Sequence, residues 1–246
     1  MTINLPGCQR DVDVLSMKVY DMELLTDIAK IKSGRAIKAI LTRCLKTPDI
    51  DIDTLLTCDC NILLLAARRA TFGDDYDFTT FCPACGDSAP YTVDLSQMEP
   101  KPGDQELVQR QLQDPKALFP YTFPECGVVA RCRLRTGPNA QNPQASSGQR
   151  ILDALLDRIV TVDDLNKTGM PLKVFLRNEL SAGDAIAFFE HYADVEPGVD
   201  DQVQLVCSKC GSEFETTISL ESTGFFRRSK RKSCGKPSSA SPVKVG

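Results

Sequence analysis

Cysteine is the residue type in this chain best placed to do chemistry, and four of its eleven copies follow one repeated pattern. Cys82-Pro83-Ala84-Cys85-Gly86 and Cys207-Ser208-Lys209-Cys210-Gly211 each set two thiols three residues apart, ahead of a glycine. Such a knuckle lets backbone amides turn toward two thiolates that grip one metal ion, and two knuckles complete a closed tetrahedral four-thiolate zinc site. A closed site leaves no position for water or substrate. The expected cofactor is therefore a structural zinc on Cys82, Cys85, Cys207 and Cys210. Close-set pairs of this kind are usually separated by roughly 15–20 residues, whereas 121 residues lie between Cys85 and Cys207. That gap excludes a free-standing zinc ribbon and leaves a staple between distant segments, where a metal clip gains most. Disulfides within or between the pairs, and separate redox roles, stay open as alternatives. A redox Cys-x-x-Cys would call for a flanking βαβ unit, which the sequence lacks.

The elements that must carry the knuckles repeat as well. Shifted by 125 residues, Asp59 falls on Asp184, Gly73 on Gly198, Asp75 on Asp200, Thr92 on Thr217 and Leu95 on Leu220, with both knuckles in register. The shared order is helix, Gly-Asp turn, strand, knuckle, strand. Upstream the offset changes: a helix from Arg35 to Leu45 resembles one from Arg150 to Val160, and Ile3 to Cys8 echoes Tyr121 to Cys126. Repeats of this kind fix architecture before any single element does. The expectation is two duplicated halves, 1–96 and 119–221, each giving half of one metal site, with a connector at 97–118 and a tail at 222–246.

Apolar spacing supplies the remaining elements. Strands are expected over Thr2–Leu5, Val12–Tyr20, Tyr76–Phe81, Tyr91–Leu95, Phe119–Phe123, Val128–Leu134, Gln202–Val206 and Phe214–Leu220. Asp21 is expected to cap a helix carrying Leu24, Leu25, Ile28 and Ile31, and Ser33 to start another. Thr57 or Asp59 is expected to cap a third, bearing Ile62, Leu63, Leu65 and Ala66. In the second half, Ile151 to Val160, Met170 to Leu180 and a helix capped by Ser181 complete the set. Residues 137–148 read as a loop. The fold class is α+β, with helices covering small antiparallel sheets joined at a zinc-ribbon-like site.

Composition narrows the function. At 246 residues, 42% hydrophobic and 25% charged, the chain can bury a core, and no apolar run reaches the roughly 18 residues that would span a bilayer. Its N-terminus lacks the basic and apolar stretches of a secretory signal, which points to folding in a cytoplasm. The formal charge of −4 is split unevenly, with +7 on residues 222–246 and −11 on the rest, so the tail is expected to be disordered until bound. Cys44, Cys58, Cys60 and Cys132 read as buried small hydrophobes. Cys8 and Cys126 occupy equivalent places, and Cys234 lies in the tail. His191 is the one histidine, there is no phosphate loop and no nucleophile elbow, and the acidic runs 49–53 and 74–77 read as turns. No reaction is indicated.

The stretch from Leu56 to Gly86, with the Leu5-Pro6-Gly7 turn, Arg68 and Arg69 leading into Phe72-Gly73 and Tyr76, and the two Cys-x-x-Cys-Gly knuckles closing near Phe225-Phe226, resembles a known family. It is similar to the baseplate hub and hub-assembly proteins of T4-like and other contractile-tailed bacteriophages. The basic tail beyond Phe226 and the high cysteine count depart from that family's pattern. The resemblance implies a non-enzymatic virion part or assembly factor in the tail baseplate, assembled in the host cytoplasm. Its partners would be other tail proteins such as hub, spike, tube or tape-measure components, with no small-molecule substrate and no membrane. Two rival readings are a zinc-ribbon nucleic-acid or transcription adaptor using the tail as a phosphate-binding arm, and a redox switch at Cys82 and Cys85. The acidic body argues against the first.

Overall fold

Short alternating runs bounded by glycine and proline pair mostly with near neighbours, Pro100–Lys101 with Gly198–Val199 being the exception, and every described sheet of this α+β protein is small and antiparallel. The computed structural model describes residues 1–27, 30, 35–138, 146–163, 165, 169–218, 220 and 223–226. The expected positions Ile28, Ile31, Ser33, Cys234 and the basic tail from Arg227 onward lie outside them, as do 139–145 of the expected loop.

The chain opens with a hairpin of β1 (Thr2–Leu5) and β2 (Arg10–Asp13), then α1 (Val19–Leu24), α2 (Arg35–Cys44) and the long α3 (Thr57–Phe72). A ribbon of β3 (Asp75–Phe81) and β4 (Ser88–Asp94) follows. After β5 (Pro100–Lys101) and α4 (Gln105–Gln113) come β6 (Phe119–Thr122) and β7 (Val129–Cys132). Then follow α5 (Ser147–Leu156), β8 (Ile159–Val162), α6 (Leu172–Asn178) and α7 (Ala182–Val195). The last strands are β9 (Gly198–Val199), β10 (Gln202–Val206) and β11 (Glu213–Thr217), before a 3-10 turn at Thr223–Phe226. β6, β7 and β8 form a three-stranded sheet, whereas β5–β9, β1–β2, β3–β4 and β10–β11 pair as two-stranded ones.

Several local expectations give way to tertiary demands. Asp21 lies inside α1 rather than at its cap: Lys18 holds that place, donating its amide to Asp21 Oδ2 at 2.7 Å, while Arg43 Nε reaches Asp21 Oδ1 at 2.6 Å. Leu56, not Thr57 or Asp59, is the N-cap of α3. Thr57 donates its hydroxyl to the Gly137 carbonyl at 3.0 Å, and Asp59 is committed to the first hairpin. Val14 to Lys18 leave the strand expected to run through Tyr20, and Ile159 and Val160 form β8 instead of ending a helix. The connector contains α4, capped by Asp104 through the amides of Glu106 and Leu107. Ser181 does cap α7, accepting from the Asp184 amide.

Two apolar clusters make the core. The first joins β1, β2, α2 and most of α3 to both ribbons, through Leu5, Val12, Ile40, Leu63, Leu64, Val93, Val203, Leu205, Ile218, Phe225 and Phe226. The second joins β6–β8, α4, α5 and α7, through Val108, Phe123, Cys132, Leu155, Ile159, Phe188 and Tyr192. Leu56 and Cys58, at the start of α3, belong to the second cluster. A helix buried all round suits its apolar sequence. Arg68 on α3 is wholly buried, yet its guanidinium donates to the carbonyls of Phe225, Gly73 and Asp75 at 3.2, 2.6 and 2.7 Å and lies over the rings of Tyr76 and Phe225.

One contact occurs twice. Asp59, buried at the start of α3, accepts from the Gly7 amide at 2.8 Å. Asp184, buried at the start of α7, accepts from the amides of Glu125 and Cys126 at 2.8 and 3.1 Å. The space beside each carboxylate is filled in opposite ways. A Cβ on Gly7 would lie 2.6 Å from Asp59 Oδ2, and Cys58 flanks that carboxylate with its Sγ 3.7 Å from Oδ1. At the second place, Glu125 occupies the loop position, Gly183 stands on the helix, and a Cβ on Gly183 would overlap Glu125 Oε1. Overpacking a tight site costs about 1–3 kcal/mol. Gly7 is buried against the fixed Asp59 carboxylate, whereas Gly183 and Glu125 are exposed and the Glu125 carboxylate can swing aside. Gly7→Ala is therefore expected to destabilise by that amount and Gly183→Ala by less than about 1 kcal/mol, which denaturant unfolding of the two variants would measure.

Candidate metal centre

Each knuckle is the tip of a two-stranded ribbon, and the hairpin pairing fixes its shape. The Cys82 amide donates to Asp87 O and the Gly86 amide to Cys82 O, both at 2.8 Å. The Cys207 amide donates to Ser212 O and the Gly211 amide to Cys207 O, both at 2.9 Å. This turn requires a left-handed residue just after the second cysteine, and Gly86 and Gly211 supply it at φ of 70° and 74°. Below the tips, Tyr91 meets Phe214 edge-on with ring centroids 6.0 Å apart, and Val93, Val203, Leu205 and Ile218 root both ribbons in the first core. Lys209 of one knuckle reaches Asp87 of the other at 3.0 Å.

The structure therefore brings all four sequence-derived candidates to one point. The sulfurs of Cys82, Cys85, Cys207 and Cys210 lie within 4.8 Å of one another. The cross-ribbon separations Cys82–Cys210 and Cys85–Cys207 are both 3.7 Å, so the two knuckles face each other with near two-fold symmetry. A zinc–sulfur bond of about 2.3 Å gives a sulfur tetrahedron with edges of about 3.8 Å. A disulfide would need about 2.05 Å, and none of the ten described cysteines forms one. Cys82 and Cys207 are buried whereas Cys85 and Cys210 face solvent. A hydrogen bond with Ser212 draws the Cys210 thiol down to about 6. At Cys85 the Asp87 amide favours the thiolate, but desolvation and the neighbouring thiols outweigh it and push the group up to about 12. Four sulfurs so close cannot all ionise without a cation among them, and a divalent ion would supply that charge. Among the described residues these cysteines are the one cluster fit to hold a metal ion.

The other cysteines are placed differently. Cys44, Cys58, Cys60 and Cys132 are buried. Desolvation pushes Cys44 up to about 11 and Cys132 up to about 12, and raises Cys58 further. Cys8 is half-buried and Cys126 exposed, and each lies in a hairpin turn. His191 on α7 stacks against Tyr121 with centroids 4.9 Å apart.

Sequence reasoning missed that these two turns share the knuckle's geometry. Phe123 donates its amide to Val128 O at 3.0 Å, Gly127 donates to Phe123 O at 2.9 Å, and Gly127 has φ of 67°. Leu5 pairs with Arg10 in the same five-residue spacing, with Gln9 at φ of 53°. Phe123-Pro124-Glu125-Cys126-Gly127 set beside Cys82-Pro83-Ala84-Cys85-Gly86 would have revealed it. Also unread was the cluster in which Arg135 and Arg158 both grip Glu196, at 3.0 and 3.2 Å.

A family model described as T4 bacteriophage base plate protein matches residues 1–132, more than half of the 246-residue chain. The chain belongs to that baseplate protein family. No curated protein and no solved structure matches it. The baseplate match takes in the first hairpin, α3 with Asp59 and Arg68, and the knuckle of Cys82 and Cys85, while Cys207 and Cys210 lie beyond it. Membership implies association with other phage tail or baseplate proteins and a place in the virion tail. No described helix is long and apolar enough to cross a membrane. In the folded protein at pH 8, Cys44, Cys58, Cys60 and Cys132 are expected to resist alkylation at least tenfold more than Cys126, a difference that disappears in denaturant and can be read by peptide mass spectrometry.

Proposed function

We propose that the chain is a non-enzymatic structural component, or assembly factor, of a contractile-tail baseplate hub, held in shape by a structural zinc. The observation that carries the reading is the meeting of four sulfurs from ribbons 121 residues apart, at a spacing that suits tetrahedral zinc. Bound there, zinc would act as a closed staple, and Cys82, Cys85, Cys207 and Cys210 would hold it with no vacant position for chemistry. The hub assignment rests on the resemblance carried by the Leu5-Pro6-Gly7 turn, the arginine-bearing α3 and the knuckles. The partners it suggests are hub, spike, tube or tape-measure components of the same tail.

The halves 1–96 and 119–221 are read as a duplication. The recurring Asp59 and Asp184 contacts support it, as do the matched knuckles and the pairing of Val14 with Leu45 and of Cys132 with Ile159, each just after a helix. The connector 97–118 and the tail from 222 stand outside the repeat. On this view the metal replaces what a dimer interface would otherwise supply. The nucleic-acid adaptor alternative would need a basic face beside the knuckles, where the ribbons carry mostly acids.

Elemental analysis of the purified protein is expected to find one zinc per chain, and cobalt substitution to give a tetrahedral thiolate spectrum. Cys82→Ser or Cys207→Ser should lose the metal. Structural zinc can contribute on the order of 10 kcal/mol, and about 1 kcal/mol moves the midpoint of a domain this size by about 2–4 °C, so the midpoint should fall by 10 °C or more. A metal-free protein whose melting ignores chelators would sink the staple. Mass spectrometry of purified tails and of baseplate intermediates tests the virion role, which fails if the chain is found in neither.

A further inference from the structure

The charge of this chain is segregated onto two features. Residues 70–100 and 198–218, which hold both ribbons, contain ten acidic side chains and one lysine. Residues 227–246 contain seven Lys or Arg and no acid. Strand alternation sorts the ribbon side chains: Tyr76, Phe78 and Phe214 turn toward the core, while Asp75 and Asp77 are exposed on the opposite face of their ribbon and Glu213 and Glu215 on the opposite face of theirs.

Arg68 fixes where the basic segment begins. It bonds the Phe225 carbonyl and the Asp75 carbonyl with one guanidinium, so the chain that continues past buried Phe226 starts beside the acidic end of β3. Arg227, Arg228, Lys230, Arg231 and Lys232 come at once. Six extended residues span about 20 Å, close to the length of a seven-residue strand such as β3.

We infer that the outer face of the β3–β4 and β10–β11 ribbons is a docking surface for the chain's own basic segment, Arg227 onward. Docking is electrostatic, so it is screened by salt. It also leaves the surface available to a competing basic partner. This reading is independent of the baseplate role and of the zinc.

Carbodiimide cross-linking of the full-length protein tests it without any substitution. Lys230 or Lys232 is expected to link to Asp75, Asp77, Glu213 or Glu215 within the monomer, with yield falling about tenfold between low salt and about 0.5 M salt. In parallel, full-length Asp75→Asn/Asp77→Asn/Glu213→Gln/Glu215→Gln should be cut by trypsin within 227–232 about tenfold faster than wild type at low salt, and equally fast at high salt. Links confined to a dimer band would assign the segment to a second copy and overturn docking within the chain. Absent or salt-indifferent links, or equal cleavage of wild type and variant, would overturn the docking surface altogether.

Discussion

A lone two-stranded ribbon is marginal in water, because half of its backbone groups face solvent and one side has nothing to pack on. The two longest sheets of this protein are ribbons of that kind, and everything distinctive about its architecture answers their need for support. Their bases are rooted in the core through Tyr91, Phe214, Val93 and Leu205. Their tips have no such footing: Phe81 is 69% exposed beside Cys82, and the atoms that converge there are sulfurs. A cluster of thiols with no cation resists ionising past its first member and holds together weakly through S–H contacts alone. On the proposed reading, a cation at the centre of the tips is what would make the arrangement stable.

Several of the remaining buried polar groups follow one rule, which is that backbone stands in for a missing counter-ion, although Asp59 Oδ2 itself keeps no hydrogen-bond partner. Arg68 is satisfied by three carbonyls. Burial raises the pKa of Asp59, and amides from Gly7 and Cys8 pull it back. Gln111 forms two bonds with the backbone of Leu134, donating to its carbonyl at 2.8 Å and accepting from its amide at 2.9 Å. Groups held in this way cost more to orphan than they contribute when paired, so they specify position more than they add stability.

That rule also explains what could be read from the residues in order and what could not. The four clustered cysteines were legible because a knuckle is a local code: Cys-x-x-Cys-Gly sets both the thiol spacing and the positive φ that closes the turn. Strand and helix types were mostly legible from apolar period. The N-termini of α1 and α3 were not, because Asp21, Thr57 and Asp59 look like caps but serve partners 22, 80 and 52 residues away. Helix α4 escaped notice because Gln111, one of its two buried side chains, is polar, and its reason for burial is a carbonyl in another segment.

The four hairpin turns show how little separates a candidate metal site from a purely protein one. Cys82, Cys207, Phe123 and Leu5 hold the same place in the same turn, each followed by a residue of positive φ four positions on. Where the first position is cysteine, the turn points a sulfur out to meet another turn. Where it is phenylalanine or leucine, that side chain goes fully into the core, and a buried aspartate from a following helix takes the loop amides instead. A carboxylate on a helix reaches only its own neighbouring hairpin, so it can order a half but cannot join two. An ion shared by two turns has no such restriction. Of the two ways this chain has of closing one kind of loop, the thiol pairs are the one able to bind remote segments to each other.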